Sequence, residues 1–232
     1  MAAASDRAYD LLKQRLIGGS YAPGAHLKEE HLARELDISR TPVRAALRRL
    51  IDDGLATSDA GRGVRAAQWT DADIRETYQL RSLLEGHAAE LAARRGGKEL
   101  ADALHQLNRG MESAIARERP DMARQVQDLN SLFHRTLLEA SGSARLRALL
   151  ASIIDMPVIV RSFFISTRAD MQQSLQHHRD IASAVDAGDG ELAKLAMQLH
   201  LRVAAHRFLR RRSEFVARHP AAVGNGDVDP SQ

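Results

Sequence analysis

Three histidines and one asparagine in the second half of the chain have side chains that can bind a metal ion. Asn130 and His134 are four residues apart, so both project from one face of a predicted helix. His178 and His200 belong to two later predicted helices. Three imidazoles from three helices could converge in a bundle core and leave coordination positions open. Spacing alone leaves another interpretation open, in which each is a separate core histidine.

A second chemically active segment is SRTPVRAALRRL, which spans Ser39 to Leu50. At about 100° per residue, its apolar residues share one helix face, and the opposite face carries Arg40, Thr41, Arg44 and Arg48. Ser39 can cap this helix and is a further candidate DNA contact, and Pro42 is tolerated in the first turn. A guanidinium can donate two hydrogen bonds to guanine or to a phosphate. The pattern predicts a DNA recognition helix; the alternative is a basic helix that is simply solvated.

The elements around this segment are typical of a winged helix-turn-helix. One predicted helix carries Tyr9, Leu12 and Leu16 on one face, a second covers about 29–36, and Asp37-Ile38 forms a tight turn before the recognition helix. Two short strands then flank a glycine-rich tip, Gly61-Arg62-Gly63. Because an arginine on such a tip can enter a minor groove or bind phosphate, Arg62 is a further candidate DNA contact.

Composition and breaker residues predict a mostly α-helical protein of two domains. The chain has 232 residues, of which 44% are hydrophobic and 27% charged, with no cysteine and a net charge of +3. These values exclude a disordered chain, a disulfide framework and a cysteine zinc site, and no apolar run reaches the ~18 residues of a membrane span. We expect a DNA-binding domain at 1–68, an all-α antiparallel helical bundle at 69–215 that dimerises, and a disordered tail at 216–232.

The first domain resembles the winged-helix domain of GntR-type regulators. The resemblance rests on Pro23-Gly24, Leu32-Ala33, Gly54-Leu55 and above all Ser39 to Arg44, which reads SRTPVR. The rest of the chain resembles the all-helical effector domain of the FadR-type branch, the FCD domain, so the two together cover 7 to about 212. The resemblance implies that Arg40, Arg44 and Thr41 contact operator DNA.

The same resemblance implies a metal site in the effector domain. Metal-binding FCD domains resemble the pattern Asp-x-x-x-His followed by two later histidines, and His134, His178 and His200 match the three histidine positions. Asn130 occupies the place of the usual aspartate, and because its amide carries no charge, we expect weaker binding. The expected ion is zinc, with nickel or manganese as alternatives.

Two arginines are candidate effector-binding residues. A bound metal with open positions beside a cation suits a small organic acid. Arg81 matches an Arg-x-x-x-Glu segment of the family, although it could instead form a weak ion pair with Glu85. Arg161 lies in an apolar stretch and could equally extend to a helix surface.

These observations predict a cytoplasmic, nucleoid-associated transcriptional regulator, a repressor, that binds a palindromic operator as a homodimer without membrane contact. An organic acid at the metal would shift the dimer away from its DNA-binding arrangement through a hinge at 66–71. One alternative is that the metal ion itself is the signal. A remote alternative is a helical metallohydrolase, but the sequence contains no HExxH and no P-loop.

Overall fold

The computed structural model of the chain describes residues 2–17, 20–21, 24–59, 63–117, 119–151, 153 and 166–218. Its described residues form two compact units, one within Met1–Thr70 and the other within Asp71–Asp155 and Ser162–Arg212. Arg62, Arg161 and 219–232 lie outside the described residues. None of the helices described is long and apolar enough to span a membrane.

The first unit contains three helices followed by a two-stranded wing. The helices are α1 (Ala2–Ile17), α2 (Glu29–Glu35) and α3 (Arg40–Asp52), and the strands are β1 (Ala56–Asp59) and β2 (Gly63–Ala66). The strands are antiparallel, with Ala56 opposite Ala66 and Asp59 opposite Gly63. On its other edge β2 is joined to the segment before α2 by hydrogen bonds such as Leu27 N–H to Val64 O at 2.8 Å. The mostly α fold with a small β wing, predicted from the sequence, is confirmed.

Helix α3 is the centre of the first unit's core. Its apolar face is fully buried at Val43, Ala46, Leu47 and Leu50, and it packs against α1 and α2. The turn between α2 and α3 needs a left-handed residue, which Asp37 supplies with φ 51°; aspartate tolerates this conformation better than most side chains. Ser39 stands at the N-cap, although its side chain makes no capping hydrogen bond.

Six helices form the described part of the second unit. They are α4 (Asp71–Arg95), α5 (Gly97–Arg117), α6 (Met122–Ala140), α7 (Ala144–Ala151), α8 (Arg168–Asp186) and α9 (Gly190–Arg218). Helices α6 and α8 each pack against both α4 and α5. The core includes several large side chains that are almost fully buried, namely Phe133, Leu137, Ile181, Met197 and Leu201.

Two local features fix α9 beside its neighbours. Gly86 lets α4 approach α9 closely, because a Cβ at this position would lie 3.0 Å from Cγ of Gln198. Thr167 and Asp170 form a capping box at the start of α8. The Asp170 carboxylate also accepts a hydrogen bond from Nε of Arg211 at 2.9 Å, and Arg207 donates to the Asp170 carbonyl at 2.7 Å. These contacts hold the helices that carry His178 and His200 in register.

Candidate functional site

Helices α6, α8 and α9 bring His134, His178 and His200 together in the interior of the second unit. The three side chains are buried, and each offers a ligand nitrogen within 4.8 Å of the others. The closest ring centroids, those of His178 and His200, are 4.5 Å apart, and the ring of His178 stacks on Phe133 at 4.4 Å. Because two nitrogens on one zinc ion lie roughly 3–4 Å apart, small ring rotations would let all three bind one ion.

The hydrogen bonding of these imidazoles fits a metal site. Among the described residues, Nε2 of His134, both ring nitrogens of His178 and Nδ1 of His200 are buried without a hydrogen-bond partner. Buried polar atoms normally have partners, since an unpaired one costs about 1–3 kcal/mol. A buried cluster of imidazoles with such unpaired ring nitrogens is therefore better suited to a cation than to a purely structural core.

The charge state of the cluster favours metal binding as well. Burial lowers the pKa of His178 well below its usual range, and the nearby His134 and His177 lower it further. Burial likewise lowers the pKa of His200, together with the charges of the other histidines and Arg81. Both imidazoles are consequently neutral near pH 7, which is the form that binds metals.

Glu85 on α4 orients His134. Its Oε2 accepts a hydrogen bond from the Nδ1–H of His134, and its Oε1 accepts one from Nε of Arg81 at 2.6 Å. Burial alone would raise the pKa of Glu85, but Arg81 and His134 outweigh it and lower the pKa to about 2. The ionised carboxylate thus favours the tautomer of His134 with its proton on Nδ1, in which the Nε2 lone pair could bind a metal ion.

Three further residues were predicted for this site: Asn130, Arg81 and Arg161. Asn130 is buried on α6, one turn before His134. Arg81 is also buried, so its pair with Glu85 is an interior ion pair rather than the weak surface pair considered from the sequence. Arg161 lies outside the described residues.

Two buried residues of the second unit, Glu85 and Asn108, were not predicted from the sequence as site residues. Glu85 entered it only as the partner of Arg81, and its contact with His134, 49 residues away, has no signal in the sequence. Asn108 on α5 is buried, and neither atom of its amide has a partner among the described residues. Asn108 could have been noticed in the sequence, because it is an asparagine on an otherwise apolar helix face.

The exposed face of α3 carries every predicted DNA-contacting residue that the structure describes, namely Ser39, Arg40, Thr41, Arg44 and Arg48. Two of them form ion pairs with α2. Arg44 donates from Nε and Nη2 to the two carboxylate oxygens of Glu29, both at 2.8 Å. Arg40 donates from Nη1 to Glu30 at 2.9 Å, and its Nη2 is 3.6 Å from Glu29.

A helix-turn-helix with a wing and an arginine-rich outer face defines a DNA-binding protein. Residues 4–65 match the model of the bacterial regulatory proteins of the gntR family, and residues 76–203 match the FCD domain. The chain belongs to the gntR family, in the form that carries an FCD domain. Its class is therefore that of transcriptional regulators rather than enzymes.

Individual relatives agree with this assignment. The chain is 30% identical over 192 residues to the HTH-type transcriptional regulator YdhC of Bacillus subtilis (strain 168), covering 83% of this chain and 85% of that protein. It is 26% identical over 201 residues to the HTH-type transcriptional repressor GlaR of Escherichia coli (strain K12), covering 83% and 90%. The fold is similar to that of E. coli McbR/YncC, with a TM-score of 0.67 at 21% identity, covering 93% of this chain and all of that one (100%).

Proposed function

We propose that this regulator is a repressor of the FadR branch whose operator affinity is controlled by a small organic acid bound at a divalent metal. The observation that carries the proposal is the convergence of His134, His178 and His200, with unpaired ring nitrogens, in the interior of the second unit. A homodimer on a palindromic operator follows from the need to join two winged-helix half-sites. The protein would act in the cytoplasm, on the nucleoid.

The DNA contacts are assigned to α3 and the wing. Arg40, Arg44 and Thr41 would contact base edges and phosphates, with Ser39 and Arg48 beside them at the same face and Arg62 at the tip of the wing. Support comes from the exposure of Arg40, Thr41, Arg44 and Arg48 on α3 and of Ser39 at its N-cap, while the opposite face of α3 is buried. Arginine is suited to this role because it donates two parallel hydrogen bonds to guanine O6 and N7.

The metal would be held by His134, His178 and His200, with Asn130 as a fourth ligand. Zinc is the expected ion because neutral imidazoles are common zinc ligands, and nickel or manganese are the alternatives. Because an amide adds no negative charge, binding should be weaker than with a carboxylate in that position. When bound, the ion supplies a Lewis acid that attracts the carboxylate of the effector.

Arg81 and Arg161 are the proposed cationic residues for the effector. Arg81 is near enough to the cluster to lower the pKa of His200. The effector would favour one of two arrangements of the dimer, and the segment at 66–71, between β2 and α4, would act as the hinge. Operator release then follows if only the other arrangement matches the half-site spacing.

The test is metal content of the tag-free full-length protein, measured by mass spectrometry. We expect about one equivalent per chain in the wild type and its loss in His200→Ala. His206→Ala is the matched control, because His206 is exposed on the same helix and should retain the metal. Absence of bound metal after reloading with zinc, nickel and manganese would refute the metal site.

Metal-loaded wild type is then titrated with organic acids while DNA binding is measured. Release of the DNA by an organic acid at constant metal concentration supports the proposal. Release by the metal alone, at constant acid, would show instead that the ion is the signal.

A further inference from the structure

We propose that Glu29 is a positioning residue for sequence recognition: it holds the guanidinium of Arg44 so that its outer edge is presented to a base pair. The inference rests on the proposed DNA-binding role of α3. It adds to that role a residue outside the recognition helix and assigns different tasks to Arg40 and Arg44, the arginines of α3 that pair with α2. The ligand class for Arg44 is a guanine, read through O6 and N7 in the major groove.

The geometry of the Arg44–Glu29 pair leaves the outer edge of the guanidinium, formed by Nη1 and Nη2, available for a contact with a base. A guanidinium has five N–H groups, and the carboxylate takes two of them along one side, from Nε and Nη2. Nη1 of Arg44 has no protein partner among the described residues. The free N–H groups, two on Nη1 and one on Nη2, therefore form the end fork that matches a guanine edge. Arg44 itself is 54% exposed, so DNA can reach that fork.

Arg40 is held differently. Its terminal nitrogens Nη1 and Nη2 face Glu30 and Glu29 respectively, at 2.9 Å and 3.6 Å. Its end fork is thus already directed at carboxylates, and a DNA contact by Arg40 requires these to be exchanged. Arg40 could exchange its carboxylate partners for a DNA phosphate, which is also an anion. The Nη1 and Nη2 groups of Arg44, which are already held in place, are better suited to contact a base. The structure accordingly favours Arg44 over Arg40 as the base-specific residue.

Glu29 is well placed to act as a fixed support. It is the first residue of α2, where the helix dipole favours a negative charge, and α2 packs on α3. Its side chain is 25% exposed, compared with 71% for Glu30. The Arg44 hydrogen bonds lower the pKa of Glu29, which keeps it ionised at neutral pH. A long arginine side chain held in this way loses less freedom when it binds a base.

A competing view predicts the opposite result. If Glu29 merely masked Arg44, removing its charge would strengthen binding to every duplex. If Glu29 positions Arg44, its removal weakens binding to the preferred sequence only. Binding to other sequences would stay equal or improve, because one negative charge near the phosphates is gone.

The experiment starts from a pool of duplexes with about 25 random base pairs, enough for two half-sites one helical turn apart. The wild-type full-length protein selects its preferred duplex, and Kd values are measured for that duplex, its single-base-pair variants and a scrambled sequence. For Glu29→Gln we expect a loss of about 3- to 10-fold in affinity for the preferred duplex, the cost of ordering one long side chain. Glu29→Gln should lose sequence discrimination at the same base pair as Arg44→Ala.

Two controls make the result specific. Glu35→Gln removes the same charge from α2, but Glu35 pairs with Arg15, so discrimination should be unchanged. In an Arg44→Ala background, Glu29→Gln should have no further effect on discrimination, since its action passes through Arg44. Unchanged urea midpoints exclude a folding defect, because exposed ion pairs contribute little to stability.

Tighter binding of Glu29→Gln to the preferred duplex, or retained discrimination at the Arg44-dependent base pair, would overturn the proposal. A wild type that enriches no sequence at all would instead refute the DNA-binding function on which the proposal rests.

Discussion

Replacing Glu85 by glutamine tests whether the Arg81–Glu85–His134 contact stabilises the second unit. Glutamine has nearly the same shape but no charge, so the buried guanidinium of Arg81 would lose its ion pair with the Glu85 carboxylate. Both side chains of the Arg81–Glu85 pair are only 3% exposed. Removing one partner of a buried pair is strongly destabilising, because the other charge stays away from water without compensation.

The expected magnitude follows from the pKa of Glu85. It lies at about 2, compared with an ordinary 4.5, and each pKa unit corresponds to about 1.4 kcal/mol. The ionised form is therefore favoured in the folded state by about 3 kcal/mol. We expect Glu85→Gln to lower the free energy of unfolding by about this amount at pH 7, which is close to the range measured for broken buried pairs.

The dependence on pH gives a second signature. Because the folded-state pKa is lowered, the stabilisation is fully present above pH 4.5 and is lost as the pH falls through about 2. Urea unfolding of metal-free protein, followed by far-UV circular dichroism, should show a large difference between wild type and variant at neutral pH. The two free energies should converge as the pH is lowered through this interval.

Glu139→Gln is the matched control for this experiment. Glu139 also accepts from an arginine, Arg147, at 2.8 Å, but its side chain is 66% exposed. An exposed pair of this kind contributes about 0–1 kcal/mol. If Glu85→Gln costs no more than Glu139→Gln, or if its effect does not change with pH, the reasoning about the buried pair is wrong.

Two further substitutions test the helix contacts. Asp170→Asn should lower the free energy of unfolding by about 1.5–3 kcal/mol at neutral pH, because Asp170 accepts a hydrogen bond from Arg211 and caps α8. Since these partners lower the pKa of Asp170, the loss should shrink as the pH falls below 3.8. An equal loss at all pH values in urea unfolding would contradict this prediction. Asn108→Leu should raise the urea midpoint, because the Asn108 amide has no hydrogen-bond partner in the described part of the chain and such a buried amide costs about 1–3 kcal/mol. A lowered midpoint would show that the amide makes a favourable contact in solution.

The pattern of the sequence was enough to place the recognition helix and its two faces. In α3 the buried residues Val43, Ala46, Leu47 and Leu50 recur at helical spacing, and the exposed arginines lie between them. This arrangement depends only on local geometry, since residues three and four apart share a helix face whatever the rest of the fold does. The wing strands and the left-handed turn at Asp37 are local in the same sense, and their turn residues are visible in the sequence.

The histidine cluster could be only partly predicted. The helices that carry His134, His178 and His200 follow from periodicity, but whether their faces meet depends on how the helices rotate and pack against each other. From spacing alone, separate core histidines were therefore the favoured interpretation, and the resemblance to a family supplied the pattern of a metal site. The structure brings the three rings together, with centroids 4.5 to 5.4 Å apart.

The charged contacts that refine the two sites depended entirely on tertiary structure. The i to i+4 spacing of Arg81 and Glu85 allowed an ion pair as one of two interpretations, but it did not indicate that the pair is buried or that Glu85 reaches His134. Likewise, the pairing of Arg44 with Glu29 crosses the turn between two helices. Helical periodicity determines which face of an element is apolar. The partners of its charged groups are determined by which elements pack together, because electrostatic contacts join residues that are close in space and distant in sequence.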